Sequence, residues 1–495
     1  MVENLQNALA LVFDIHTLIA VFMAAVFGLF VGAIPGLSAT MAVALLVPIT
    51  FSMDPVPAIA MMVTATAMAI TSGDIPGCLI RIPGTPSSAA YTEESHRMLL
   101  KGEVNKALGA SIFFSFVGGI FGTVVLIVAA PSLAEFSLNF TSFEFFWLVV
   151  LGLLCSIVIA TGDKLKGFIS LLIGLLLSSV GINNPAAYPR FTFGHDELMN
   201  GITLLPMMIG MFAVAEVLRY ATDKKKSLPH VDVKTGNIFS GIGLLLKKYP
   251  LSVLRGCSLG TVVGALPGAG ADIAAWMSYG VSKKLSKTPE KFGTGHVEGI
   301  VEASSSNNSA LAGAWIPALV FGIPGDSITA IVVGVLYMKN LTPGPMIFES
   351  NGAQVYAIFL IFILANILML PLGFLLVKCA KRLLLVPRSI LMPIILLFSI
   401  VGTYAINNSE FDVLVMMAMG VLAYVMEENG FPIAPSVLGV VLGGMLEEHF
   451  VSSMIKADGN FLMFFERPIA AGLGIFIIAL CLLPLLGKFL RKKES

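Results

Sequence analysis

Two Pro-Gly pairs interrupt apolar stretches at matching places in the chain, and they offer the clearest chemistry. Residues 32–36 read Gly-Ala-Ile-Pro-Gly, and residues 264–268 read Gly-Ala-Leu-Pro-Gly, 232 positions further along. A second Pro-Gly element follows each pair, at 82–85 and at 323–326. A helix that restarts after such a break presents free N–H groups and the positive end of its dipole. These groups can hold an anion, and the freed carbonyls before the break can hold a small cation.

We therefore predict a substrate site built mainly from the broken segments. A Pro-Gly kink used only for packing is common in membrane helices and is the alternative for any single pair. Four such elements, arranged two by two, favour a binding site. The polar stretch 298–309 adds two amides whose oxygen atoms suit a cation and whose N–H groups suit a carboxylate. The predicted substrate-binding residues are Pro35, Gly36, Ser38, Thr40, Gly84, Thr85, Pro267, Gly268, Gly270, Asn307, Asn308 and Gly325.

Acidic and hydroxyl residues in the same segments are candidates for binding a coupling ion. An acid at membrane depth starts as a functional candidate, and a helix cap is the alternative role for each one. We predict residues 73–88 to be a non-helical run, in which Arg81 either pairs with a substrate carboxylate or marks the cytoplasmic edge. The ion-coupling candidates are Ser72, Asp74, Asp272, Ser306, Asp326 and Ser327.

Composition indicates that most of the protein's surface does not face water. Of 495 residues, 57% are hydrophobic and only 12% are charged, against about 25% charged in a soluble chain. Lys+Arg and Asp+Glu balance at 30 each, which gives no basic excess for nucleic acid. The five cysteines form no CxxC, the six histidines form no HExxH, and no phosphate-binding loop occurs. We expect no cofactor and no metal site, apart from sodium or a proton as coupling ion.

Apolar segments of lipid-spanning length predict an all-α, polytopic membrane protein. The two broken stretches, 17–51 and 251–281, are each too long for one ordinary span. Single crossings are predicted at 57–73, 107–131, 143–160, 168–182 and 201–221, and at 297–320, 352–377, 389–406, 411–427, 433–447 and 468–487.

The distribution of basic residues predicts two repeats of inverted topology, each with broken helices in a re-entrant hairpin. The loop 52–57 has no Lys or Arg, whereas the loop 282–291 has four lysines. Basic loops stay in the cytoplasm, so the first hairpin opens outward and the second inward. The alternative, kinked helices that simply cross, would place a lysine-rich loop outside. We predict a first repeat at 1–222, a cytoplasmic linker at 223–250 and a second repeat at 251–495, with the N-terminus outside and the C-terminus in the cytoplasm.

Taken together, these segments resemble the large membrane subunit of the tripartite tricarboxylate transporter family. The resemblance rests on 32–40 with 264–272, on 73–88, and on 304–308 followed by 322–327, and it extends over nearly the whole chain. Members of that family are permeases of the bacterial inner membrane that take up carboxylates with an ion gradient. The resemblance implies two partners, a periplasmic solute-binding protein and a small membrane subunit.

The expected function is secondary uptake of a small organic anion, a di- or tricarboxylate, bound with one or more cations between the repeats. The hairpins would move as one body, in an elevator or rocking manner, within either a homodimer or a complex with the small subunit. Two other classes stay open at this point. One is an intramembrane enzyme that uses Asp74, Asp272 or Asp326, and the other is an ion channel.

Overall fold

The computed structural model describes residues 2–159, 163–182, 188–222, 236–383 and 387–491. Within these ranges the chain is helical, with one isolated β-bridge between Gly181 and Arg190. A π-helical turn, Gly210–Val214, connects the helix Leu204–Ile209 to the helix Ala215–Thr222. The helices are α1 (Val2–Val12), α2 (Ile15–Gly32), α3 (Ala39–Phe51), α4 (Pro55–Ser72), α5 (Asp74–Ile80), α6 (Thr92–Leu100), α7 (Val104–Ser137), α8 (Ser142–Ile159), α9 (Lys164–Ser178), α10 (Leu204–Ile209), α11 (Ala215–Thr222), α12 (Ile242–Lys248), α13 (Pro250–Gly264), α14 (Gly270–Leu285), α15 (Val297–Phe321), α16 (Ser327–Met338), α17 (Ile347–Ser350), α18 (Gly352–Leu383), α19 (Arg388–Asn407), α20 (Glu410–Glu428), α21 (Ile433–Lys456) and α22 (Pro468–Arg491).

The prediction of an all-α, polytopic membrane protein is confirmed. Every predicted crossing contains a helix, and among the described residues seven helical segments are long and apolar enough to span a bilayer. Large apolar side chains such as Leu397, Phe398 and Val401 lie exposed along α19, as expected of a face in contact with lipid. Part of the predicted linker, residues 223–235, lies outside the described residues, and so the division into two repeats stays a prediction.

One local prediction is wrong. Residues 74–80 form α5 within the run predicted to be non-helical. Pro76 fits there because the first turn of a helix needs no backbone donor at that position. Helix α21 contains the predicted crossing 433–447 and continues to Lys456.

Both broken stretches fold back on themselves as helical hairpins. In the first hairpin, His16 at the start of α2 and Ser52 just beyond α3 line one pocket, so the two helices begin and end at the same place. In the second, Ser252 near the start of α13 and Ser286 just after α14 both donate to Glu298, at 3.1 and 2.6 Å. The alternative of a single kinked helix at either stretch does not fit these contacts.

The two hairpins pack on their neighbouring helices through equivalent glycines. A Cβ atom added to Gly32 of α2 would lie 2.1 Å from the carbonyl oxygen of Ala69 on α4. A Cβ atom on Gly264 of α13 would lie 2.2 Å from the carbonyl oxygen of Ala310 on α15. Backbones this close leave no room for a side chain, so glycine is required at both positions.

Helices α4 and α15 occupy the centre of the molecule. The chain is buried from Val56 to Ile80, and α15 is buried from Val297 to Val320. The polar residues of both helices therefore face other helices rather than lipid, as expected for polar groups at membrane depth.

Candidate functional site

Each hairpin tip is a tight turn that its Pro-Gly pair makes possible. In the first tip the N–H of Leu37 donates to the carbonyl of Ile34 at 3.2 Å, and in the second the N–H of Ala269 donates to that of Leu266 at 3.1 Å. The glycines between them, Gly36 and Gly268, have φ of +89° and +82°. Proline followed by a residue with positive φ is the sequence signature of a type II turn. The repeated motif therefore encodes the same chain reversal twice.

A cavity of about 350 Å³ lies where the two tips approach each other. Its wall combines the segment after the first tip with the segment after the second. Among the sequence-predicted residues, those that line it are Ser38, Thr40, Thr85, Gly268, Gly270, Asp272, Asp326 and Ser327.

Four helices begin at this cavity. The first residues of α3, α14, α16 and α21 all belong to its wall. At α3, Ser38 accepts one N–H, from Met41 at 3.1 Å, and at α16 a capping box uses Asp326 and Thr329. Helices α14 and α21 have no side-chain cap. Four positive dipole ends converge on one space, which favours an anion there.

The side chains of the wall are acidic rather than basic. Asp272, Asp326 and Glu427 line the cavity, and its described lining contains no Lys, Arg or His. Asp326 is used in part as an N-cap, accepting from the N–H of Thr329 at 2.7 Å. Asp272 lies within hydrogen-bonding reach of Ser87 from the first half and close to Asp326. Two carboxylates side by side favour a bound cation or proton between them.

Other predicted residues support the tips from behind and do not line the cavity. Gly84 packs against the carbonyl oxygen of Gly32, and Gly325 packs against that of Gly264. A Cβ atom added to Gly84 or Gly325 would lie 2.3 or 2.7 Å from that oxygen. Ser306 donates to the carbonyl of Ala274 on α14 at 3.0 Å. The predicted residues that are absent from the wall are Pro35, Gly36, Ser72, Asp74, Gly84, Pro267, Ser306, Asn307, Asn308 and Gly325.

The two predicted amides belong to a separate, fully buried polar group between α4, α5, α7 and α15. Asn308 Nδ2 donates to Thr71 Oγ1 at 3.2 Å, which joins the two central helices. Asp74 accepts from the hydroxyl of Tyr91 at 2.6 Å and from that of Ser111. Sequence reasoning missed Tyr91 and Ser111, because neither lies in a motif and only packing brings them to Asp74.

Arg81 lies away from the cavity. Its side chain is 61% exposed and pairs with Glu93 at 2.8 Å. Hydrogen bonding from Arg97, with the charge of Arg81 adding to it, holds the pKa of Glu93 below its usual value. Of the two interpretations left open for Arg81, this geometry favours an arginine at the membrane edge.

Comparison with known proteins assigns the family. The profile of the tripartite tricarboxylate transporter TctA family matches residues 18–438. A protein of Agrobacterium vitis, described as an uncharacterized 52.8 kDa protein in the TAR-I ttuC' 3' region, is 36% identical over 471 residues, which cover 94% of this chain and 92% of that protein. A second A. vitis protein, from the TAR-II ttuC' 3' region, is 39% identical over 228 residues, or 46% of this chain and 94% of that protein. Among solved structures, none shows a significant match. The chain therefore belongs to the tripartite tricarboxylate transporter TctA family, as a multi-pass membrane subunit.

Proposed function

We propose that this subunit carries out secondary active uptake of a small organic anion, a di- or tricarboxylate, in the cavity between the hairpin tips. The observation that carries the proposal is the convergence of the N-termini of α3, α14, α16 and α21 on one space. The N–H groups of α14 and α21, which have no side-chain cap, and four positive dipole ends supply attraction for a carboxylate without any basic side chain. Transporters of other folds bind anionic substrates with broken helices in the same way.

The acidic wall supports coupling to a cation. An anion next to Asp272, Asp326 and Glu427 would meet repulsion unless positive charge entered with it. A sodium ion or a proton bound at the aspartates removes that repulsion, so substrate and cation bind better together than apart. Because substrate and cation bind cooperatively, a cation gradient can drive uptake of the anion.

Inverted topology of the two halves is part of the proposal. Lys339 Nζ donates to the carbonyl of Met53 at 2.6 Å, at the open end of the first hairpin. At the open end of the second hairpin, the N–H of Gly295 donates to Glu94 at 2.7 Å. Met53 precedes the span Pro55–Ile80 and Glu94 follows it, so the hairpins open at opposite ends of that span.

Location and partners follow from this topology and from the family. The protein would lie in a bacterial inner membrane with its C-terminus in the cytoplasm, next to the basic loops. A periplasmic solute-binding protein would deliver the substrate, and a small membrane subunit would complete the transporter. The hairpins would move as one body against the outer helices, in an elevator or rocking manner, within a homodimer or the complex with the small subunit.

The direct test is uptake of labelled carboxylates into vesicles reconstituted with the small subunit and the cognate binding protein, with sodium and pH gradients varied separately. We expect saturable accumulation that needs one of the two gradients and the binding protein. Flux that does not saturate and needs no binding protein would instead indicate a channel. Cleavage of a substrate without uptake would indicate an enzyme.

A matched pair of variants tests the role of the helix N-termini. Ser327 is the first residue of α16 and lines the cavity. Ser327→Asp places a negative charge where a helix tolerates it well, but it should repel the substrate and raise KM by about tenfold or more, the effect of ~1.4 kcal/mol. In Ser327→Asn the new side chain is nearly as large as aspartate but carries no charge, so this variant should change KM far less. Equal KM values for the two variants would remove this N-terminus from the anion site.

A further inference from the structure

Asp74 is a buried carboxylate outside the cavity wall, and its hydrogen-bond partners are neutral. It is 3% exposed, and it accepts from the hydroxyls of Tyr91 and Ser111. Among the described residues, no Lys, Arg or His side chain forms an ion pair with it. Burying a carboxylate charge without a cation is strongly destabilising. The site therefore favours a form of Asp74 whose charge is removed.

Asn307 supplies the second observation. It is fully buried, and neither its amide oxygen nor its amide nitrogen has a hydrogen-bond partner among the described residues. Leaving a buried polar atom unsatisfied is destabilising. The hydroxyl of Tyr91 lies beside this amide, but its hydrogen is directed to Asp74. Asn307 is thus a buried amide beside Tyr91 whose oxygen is left to accept a hydrogen bond that another arrangement of the same groups would supply.

We propose that Asp74 is a proton-binding site and that Tyr91 changes its hydrogen-bond partner from Asp74 to Asn307 when the proton binds. A tyrosine hydroxyl donates one hydrogen and can accept another. When Asp74 is ionised, Tyr91 donates to it. When a proton forms an O–H bond on Asp74, that O–H donates to the Tyr91 oxygen, and the Tyr91 hydrogen turns to the amide oxygen of Asn307. Loss of the proton reverses both hydrogen bonds.

Asn307 lies at the junction of the two halves. Its neighbour Ser306 donates to the carbonyl of Ala274 on α14, and its neighbour Asn308 bonds Thr71 on α4. Helix α14 begins at the cavity with Gly270. A proton on Asp74 can therefore alter the helix that holds the second hairpin. This role in coupling rests on the proposed function, whereas the proton site itself does not.

The other titratable groups around α5 have partners of their own. Cys78 on α5 donates to the carbonyl of Ser95, and His96 Nδ1 lies 2.9 Å from the carbonyl of Cys78. On α6, Glu94 accepts from Tyr279 at 2.8 Å. Helix α4 carries no titratable side chain, and α7 contributes the Ser111 hydroxyl. On α15, Glu302 pairs with Arg255.

Infrared difference spectroscopy on the purified protein tests the proposal without any substrate. Between acid and alkaline pH, we expect the C=O band of a protonated, buried carboxyl group, and we expect Asp74→Asn to lose it. Asp412→Asn is the matched control, because Asp412 is also buried and accepts from neutral groups, Thr203 at 2.7 Å and Asn407 at 2.6 Å. The control variant should keep the Asp74 band.

Tyr91→Phe gives a second readout should Asp74→Asn fail to fold. It removes the acceptor of the Asp74 proton, so the band should remain but move to higher frequency. Asn307→Leu should also shift the band, because the next acceptor is lost. A band that survives in Asp74→Asn, or that does not move in Tyr91→Phe, would overturn the proposal. A band that sodium chloride abolishes at constant pH would also overturn it, and would indicate a sodium site instead.

The coupling role has its own experiment in reconstituted vesicles. Asp74→Asn should still exchange labelled for unlabelled carboxylate across the membrane, yet lose accumulation driven by a pH gradient. Unchanged accumulation in the variant would overturn the coupling role. If the wild-type protein moves no carboxylate at all, the proposed function fails, while the infrared result stands on its own.

Discussion

At Gly36 and Gly268 the same turn meets two different surroundings. Both residues have positive φ, which costs an L-residue about 1–2 kcal/mol. A Cβ atom on Gly36 would lie 2.8 Å from the guanidinium of Arg388, the end of a flexible side chain, whereas one on Gly268 would lie 2.7 Å from the Cα of Ser156, the backbone of α8. The repeated motif does not predict this difference, because the residues around each tip come from distant parts of the chain.

Substitution by alanine should therefore affect the two tips unequally. We expect Gly268→Ala to abolish uptake, because strain is joined by an overpacking cost of about 1–3 kcal/mol that a backbone cannot relieve. Gly36→Ala should retain part of the activity. Gly102→Ala is the control for strain alone, since Gly102 has φ of +79° and nothing within 4 Å of its Cβ position. Uptake rates and membrane insertion would be measured for all three. Equal loss in both tip variants would contradict this account.

In each half, the hairpin approaches a central helix through a contact that only glycine allows. Gly32 on α2 and Gly264 on α13 both face a carbonyl oxygen of the neighbouring central helix. Without hydrophobic drive between helices in lipid, such close packing supplies much of their association. The hairpins are thereby held against α4 and α15, which positions their tips at the cavity.

Replacing these contact glycines should lower stability in both halves to a similar degree. We expect Gly32→Ala and Gly264→Ala to reduce the free energy of unfolding by about 1–3 kcal/mol each, since the helices must separate. Gly280 lies in α14 with open space at its Cβ position, so Gly280→Ala should be neutral or stabilise by up to about 1 kcal/mol. Thermal unfolding in detergent is the measurement. A Gly280→Ala variant as unstable as the other two would show that helix packing is not the cause.

For the molecule as a whole, the proposed inverted arrangement fixes which loops face which side of the membrane. The open end of the first hairpin includes Ser52, and that of the second includes Lys287, and both residues are exposed. The hairpins open at opposite ends of the buried span Pro55–Ile80. Four helix N-termini meet at the cavity.

Cysteine labelling of intact cells checks this topology. Cys379 and Cys481 are exposed and would first be replaced by serine, whereas Cys78, Cys155 and Cys257 are buried. In that background, a membrane-impermeant maleimide should label Ser52→Cys from the periplasm, whereas Lys287→Cys should react only after the membrane is opened. Labelling of both positions from one side would rule out the inverted arrangement.

Local physics explains what the sequence determined by itself. A proline has no N–H group and a glycine readily adopts positive φ, so a Pro-Gly pair within an apolar stretch favours a chain reversal, and the two tips could be placed from residues 32–36 and 264–268. Runs of apolar residues likewise predicted the spans, because a run of about 20 apolar residues is long enough to cross a bilayer as a helix. Ser38, Thr40 and Asp272 lie at the cavity because they follow the breaks directly.

Tertiary structure alone decided which of the other polar residues share a site. Asn307 and Asn308 are as polar as the cavity residues, yet the rotation of α15 places them among buried helices instead. Tyr91, which precedes α6, and Ser111 on α7 reach Asp74 across 17 and 37 positions of the chain. Glu447 pairs with Arg190, which lies more than two hundred positions away. The direction of a side chain depends on how whole helices pack, and a local pattern contains no record of that packing.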